Sequence, residues 1–157
     1  MWLDTDTFIT AKDGPYAFDI LPGFWRFLDQ KASDGAISSS TEVYDELVRG
    51  SDDLAIWARQ RRNTDLFIAP SWAVQSALSV IANHVSAQYE PTYATAFLSG
   101  ADPWVIAHAM VDSGKVVTFE KAVPTSSKKV KIPNVCQYYG IESLDLYEML
   151  RRLGAAF

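Results

Sequence analysis

Four acidic residues stand where their carboxylates could do chemistry: Asp4, Glu46, Asp102 and Glu120. Asp4 follows the apolar run Met1-Trp2-Leu3, and Glu120 follows Lys115-Val116-Val117-Thr118-Phe119. Glu46 lies between Val43 and Leu47 in Thr41-Glu42-Val43-Tyr44-Asp45-Glu46-Leu47-Val48-Arg49-Gly50, and Asp102 precedes Pro103. Each has a plain structural alternative. Asp4 could be a turn or Asx cap, Glu46 an exposed helix acid, Asp102 an N-cap and Glu120 a loop acid. Together they offer the hard oxygen donors that Mg²⁺ or Mn²⁺ prefers. Two such ions could activate a water and stabilise the leaving oxygen of a phosphodiester. Asp6, two residues beyond Asp4, is a further metal candidate that could equally hydrogen-bond its own loop.

Other chemistries find less support. The only histidines, His84 and His108, fall inside predicted helices, so paired-histidine acid–base catalysis is disfavoured. Cys136 stands alone, with no histidine or lysine beside it in sequence, and reads as a buried inert thiol. There is no Walker motif, no GxGxxG and no cysteine pair for zinc. The formal charge of −5 argues against a passive nucleic-acid binder, which would usually be basic. It does not argue against a nuclease, because a bound divalent ion reverses the local sign.

The elements that must position these acids are those of an α/β fold. Strands are expected at residues 1–3, 36–38, 66–69 and 115–119. Helices are expected around 24–28, from a capping box of Ser39 and Glu42 to Gly50, after Ser51-Asp52-Asp53, from Ser71 to Tyr89, from Asp102 to Gly114, after Pro133 and from Leu144 to Leu153. Strands alternating with helices imply a central parallel sheet covered on both faces, with ligands beyond the carboxyl ends of its strands. Asp4 and Glu120 follow strands directly, and helices bearing Glu46 and Asp102 could lean over the same edge. The length fits a single domain over residues 1–157. No segment approaches a membrane span, the first residues do not read as a signal peptide, and one cysteine suits the cytoplasm.

In order and spacing, these motifs resemble the PIN-like nucleases. Asp4-Thr5-Asp6 is similar to their opening D-T-N or D-S-N, and Glu46-Leu47-Val48-Arg49-Gly50 to their early helix glutamate. Asp102-Pro103-Trp104-Val105-Ile106-Ala107-His108-Ala109 is similar to the third acid on an apolar helix, and Thr118-Phe119-Glu120 to the T-x-D after a strand. The chain also resembles an uncharacterised PIN-like family of about this length, of the DUF4411 type. The phrases that carry this are Pro22-Gly23-Phe24-Trp25, Asp102-Pro103-Trp104, Lys129-Val130-Lys131-Ile132-Pro133-Asn134-Val135-Cys136 and Met149-Leu150-Arg151-Arg152-Leu153-Gly154-Ala155.

The resemblance implies a three-layer α/β/α PIN-like fold with a mostly parallel sheet. It implies Mg²⁺- or Mn²⁺-dependent endoribonuclease chemistry by Asp4, Glu46, Asp102 and Glu120, with Thr118 as a supporting hydroxyl. Many PIN proteins are toxins of bacterial type II toxin–antitoxin pairs, which implies an RNA substrate, an antitoxin partner and a homodimer. Lys12, Lys121, Lys129 and Lys131, with Lys128, are candidates for RNA-backbone contacts, or ordinary solvated lysines. Arg59, Arg61 and Arg62 read as a solvated helix end. Two departures stand out: Asp6 replaces the usual Asn, and Glu120 the usual Asp. Two rivals remain. Leu3-Asp4-Thr5-Asp6-Thr7-Phe8 resembles the D-x-D-x-T signature of haloacid-dehalogenase phosphatases but carries Phe8 where Thr is expected. The other is a catalytically silent PIN-like binding module.

Overall fold

The computed structural model describes residues 1–157, with nine helices and five short strands. β1 (Trp2–Leu3) runs into α1 (Thr5–Asp13), followed by α2 (Pro22–Ser33), β2 (Ser39–Ser40), α3 (Thr41–Leu47), α4 (Asp53–Arg59) and β3 (Phe67–Ile68). Then come α5 (Trp72–Gln88), α6 (Pro91–Leu98), α7 (Asp102–Val111), β4 (Val116–Val117), α8 (Ile132–Tyr138), β5 (Ser143–Leu144) and α9 (Leu146–Arg152).

All strand pairs are parallel. β1, β4 and β5 form one sheet with Trp2 beside Val116 beside Ser143, while β2 pairs with β3. The two sheets meet at a bridge between Trp2 and Ser38, where Leu3 N–H donates to the Ser38 carbonyl at 2.9 Å and Ser38 N–H to the Met1 carbonyl at 2.8 Å. Across the molecule the order is therefore β3-β2-β1-β4-β5. The connections run outward from β1 in both directions, so the order reverses between β1 and β4. In open parallel sheets a ligand crevice forms at such a reversal, beyond the strands' carboxyl ends.

The strands are short, and burial holds them in place. Trp2, Leu3, Val116 and Val117 are all buried, as expected for parallel strands covered on both faces. α7 contributes Val105, Ile106, Ala107 and Ala109 to the core and packs along α5. No helix is long and apolar enough to cross a membrane.

Several elements differ from their sequence-based expectation. Residues 5–13, where no element is expected from sequence, form α1, because Asp4 caps it and Thr7, Phe8 and Ala11 are buried. Beyond the helix expected from Ser71 to Tyr89, Pro91 starts α6, which suits its fixed φ and missing N–H. Leu144, expected to begin the last helix, lies in β5, and α9 starts after an Asp145 cap. The second strand is displaced from 36–38 to Ser39–Ser40.

Candidate functional site

The carboxyl edge of β1 and β4 collects the four acids. Asp4 leaves β1 with its backbone N–H on the Val117 carbonyl at 3.2 Å, so it sits beside the end of β4. It does cap α1: Oδ1 accepts from Thr7 N–H at 2.8 Å and from the Thr7 hydroxyl at 2.6 Å. The Thr118 hydroxyl, at the end of β4, lies close enough to the Asp4 carboxylate to favour its charged form. Thr118 Oγ1 in turn accepts from Glu120 N–H at 3.1 Å, which places one hydroxyl beside the first acid and the last. Despite these donors, burial pushes the Asp4 carboxyl up to about 6. Asp4 is 1% exposed, and the loss of hydration outweighs its hydrogen bonds.

Asp102 carries the largest share of the crowding. It was expected as the N-cap of its helix, but Ala101 holds that position and Asp102 is the first helical residue, with Pro103 second. The Asp102 side chain makes no cap hydrogen bond. Ala101 N–H donates to Glu46 Oε1 at 2.9 Å, a partner far away in sequence. Burial, then the charges of Asp4, Glu120 and Glu46, push the Asp102 carboxyl up to about 7, and Lys131 partly offsets this. The four acids thus lie within electrostatic reach of one another, although they come from four elements.

Glu46 and Glu120 are held by other partners. Glu46 Oε2 accepts from the Thr5 hydroxyl, while Oε1 takes Ala101 N–H. α3 positions Glu46 and is capped by Ser40, whose hydroxyl accepts from Val43 N–H at 3.3 Å. The expected Ser39 cap is one residue early, because the Ser39 hydroxyl donates to the Leu3 carbonyl at 2.6 Å. Glu120 Oε2 accepts from Ile132 N–H at 2.8 Å, and Oε1 is ion-paired with Lys131. So placed, no three acids are arranged to hold an ion together. The donor chemistry nonetheless fits a hard divalent cation: all four groups offer carboxylate oxygen, and their charge exceeds that of Lys131. Asp4 and Asp102 would face such an ion directly, and Glu46 and Glu120 would join by rotating off their present partners.

Asp6 is exposed in the first turn of α1, where it accepts from Thr10 at 3.3 Å, and its charge adds to the crowding of Asp4. Lys12 is ion-paired with both Asp13 and Asp52 at 2.7 Å, in the last turn of α1, roughly 12 Å along the helix from Asp4. Lys121 stands 3.7 Å from Asp145, and Lys128 is 3.1 Å from Glu90. Lys129 and Lys131 line a groove together with Asp102. Arg61 is no solvated helix end. It grips Asp29 with two N–H groups and lies 4.3 Å over the Trp57 ring. His108 is buried against Trp2, with ring centres 4.1 Å apart, and burial lowers its pKa to about 4. The Cys136 thiol is buried and pushed up to about 12. Neither is among the groups whose charges bear on Asp102.

Sequence reasoning missed Thr5, Thr7 and Asp145. The first two belong to an unanticipated helix. Asp145 lies where β5 ends, lining a small cleft with Thr118 and Glu120.

No curated protein and no solved structure is significantly similar to this chain. A family model does match it over residues 1–157, and the protein belongs to that family, the domain of unknown function DUF4411.

Proposed function

We propose that this protein is a divalent-metal-dependent endoribonuclease with a three-layer PIN-like fold, acting as the toxin of a type II toxin–antitoxin pair. The observation that carries the proposal is the crowding at Asp102: burial and the charges of Asp4, Glu120 and Glu46 hold its carboxyl near 7. A fold gains nothing from such repulsion unless a cation offsets it. When bound there, Mg²⁺ or Mn²⁺ supplies a Lewis acid and lowers the pKa of a coordinated water. Asp4, fixed by Thr7, and Asp102 hold the ion. Glu46 and Glu120 complete the acidic wall, and Lys131 neutralises phosphate charge on the substrate.

Two rivals differ in standing. Asp6 is exposed and turned to Thr10, a poor position for the second acid of a dehalogenase-type phosphatase. The Lys131–Glu120 ion pair favours the silent binding module, because an internal cation takes up part of the acidic charge.

The test is incubation of partner-free protein with structured and single-stranded RNAs in Mn²⁺, Mg²⁺ or EDTA, beside Asp4→Asn. Metal-dependent cleavage lost in Asp4→Asn is expected, together with slowed growth on expression of the wild type alone. Folded protein that cleaves nothing and takes up no Mn²⁺ by calorimetry would leave the silent module standing.

A further inference from the structure

A groove of about 190 Å³ runs from the acidic cluster between α6 and the segment 129–131. Tyr93, Ala96 and Phe97 of α6 and Val130 supply its apolar lining, and Asp102, Lys129 and Lys131 its charged lining. The Tyr93 side is 37% exposed, whereas Phe97 is buried to 8%, so Tyr93 is the ring a ligand can reach. Three lysines lie in the adjoining chain, and two are committed: Lys128 to Glu90 and Lys131 to Glu120. Lys129, exposed at the rim, forms no ion pair with a carboxylate.

Apolar walls with an accessible ring suit a flat aromatic body, and an uncommitted ammonium suits an anion attached to it. A nucleotide combines the two. A cationic side chain from a partner protein would be drawn to Asp102, but it would leave the uncommitted Lys129 without an anion and bring like charge beside it. A base inside a duplex has both faces stacked and its edge paired, so it cannot enter such a slot. Resting on the nuclease reading above, we propose that this groove binds one unpaired nucleotide of single-stranded RNA, next to the phosphate that is cut. Its base stacks on Tyr93, and its phosphate meets Lys129. Tyr93 is then a specificity-determining residue that selects unpaired RNA.

One RNA sequence is offered to the full-length protein with Mn²⁺, either single-stranded or annealed to its complement. The wild type is expected to cut the single strand at least about tenfold faster. Tyr93→Ala should lower kcat/KM on the single strand by about tenfold, Tyr93→Phe should restore it, and Lys129→Ala should raise KM. A 2-aminopurine base in the same strand, with Ca²⁺ replacing Mn²⁺, gives a readout independent of cleavage. Its fluorescence should be quenched by the wild type and Tyr93→Phe, and not by Tyr93→Ala. If the wild type cuts RNA while Tyr93→Ala cuts and quenches within twofold of it, the groove assignment is overturned and the nuclease reading survives. If the wild type cuts no RNA with any ion, both are overturned together.

Discussion

Asp4 and Asp102 are both buried acids, yet they respond differently to neutralisation. Asp4 Oδ1 accepts two bonds from Thr7, so Asp4→Asn keeps the acceptor but weakens charge-assisted bonds while it relieves charge. Asp102 makes no cap hydrogen bond, so Asp102→Asn relieves charge at little cost. Moving a carboxyl from 3.8 to about 7 costs roughly 4 kcal/mol above both values. In EDTA at pH 8, Asp102→Asn should raise the melting temperature by roughly 10 °C, and with Mn²⁺ present it should abolish cleavage. The sign with pH follows from proton uptake. Asp4 and Asp102 bind protons more tightly folded than unfolded, so their cost is full above about 7 and fades as pH falls toward 3.8. Metal-free wild type should therefore gain stability between pH 8 and pH 5 by thermal melting. Asp102→Asn should gain less over the same range. Equal pH dependence in the two proteins would remove Asp102 from the crowded cluster.

Among the elements, what was legible in the sequence was local. Asp4 and Glu120 could be placed because each closes a short apolar run, and Asp102 because Pro103 marks a helix start. What was not legible was decided by distant partners. The N-cap of α7 is Ala101, whose N–H is taken by Glu46, 55 positions away. The cap of α3 shifts because the Ser39 hydroxyl is claimed by Leu3, 36 positions away. α1 was hidden by its threonines, poor helix formers overruled by the Asp4 cap and by burial of Phe8. β5 is two residues long and is recognisable only by its pairing with β4. Arg61 gives the same lesson, since its role depends on Asp29 in α2 and the Trp57 ring in α4. A lysine cannot reproduce that fork and stack. Arg61→Lys should cost about 1–2 kcal/mol in urea unfolding and leave RNA cleavage at saturating Mn²⁺ unchanged. A loss of cleavage in folded Arg61→Lys would place this arginine in the functional surface.

At the scale of the whole molecule, the strand order β3-β2-β1-β4-β5 brings distant carboxylates to one edge, and a net charge of −5 leaves that edge short of cations. The same Glu120 that faces the cluster also accepts from Ile132 N–H, so its side chain buckles the two ends of the segment 121–131 together. The buckle has a second stud, since Asn134 exchanges hydrogen bonds with the Val123 backbone at 2.8 and 2.9 Å. Most ligands tighten the parts of a protein they touch. On the proposed function, an ion that draws Glu120 inward would release the Ile132 amide, while the Asn134 bonds would keep the segment and its groove lysines in place. Hydrogen exchange should therefore quicken at the Ile132 amide on adding Mn²⁺, while the Val123 amide stays protected. Slower exchange at Ile132 would mean that Glu120 keeps the segment fastened and leaves the ion to the other three acids.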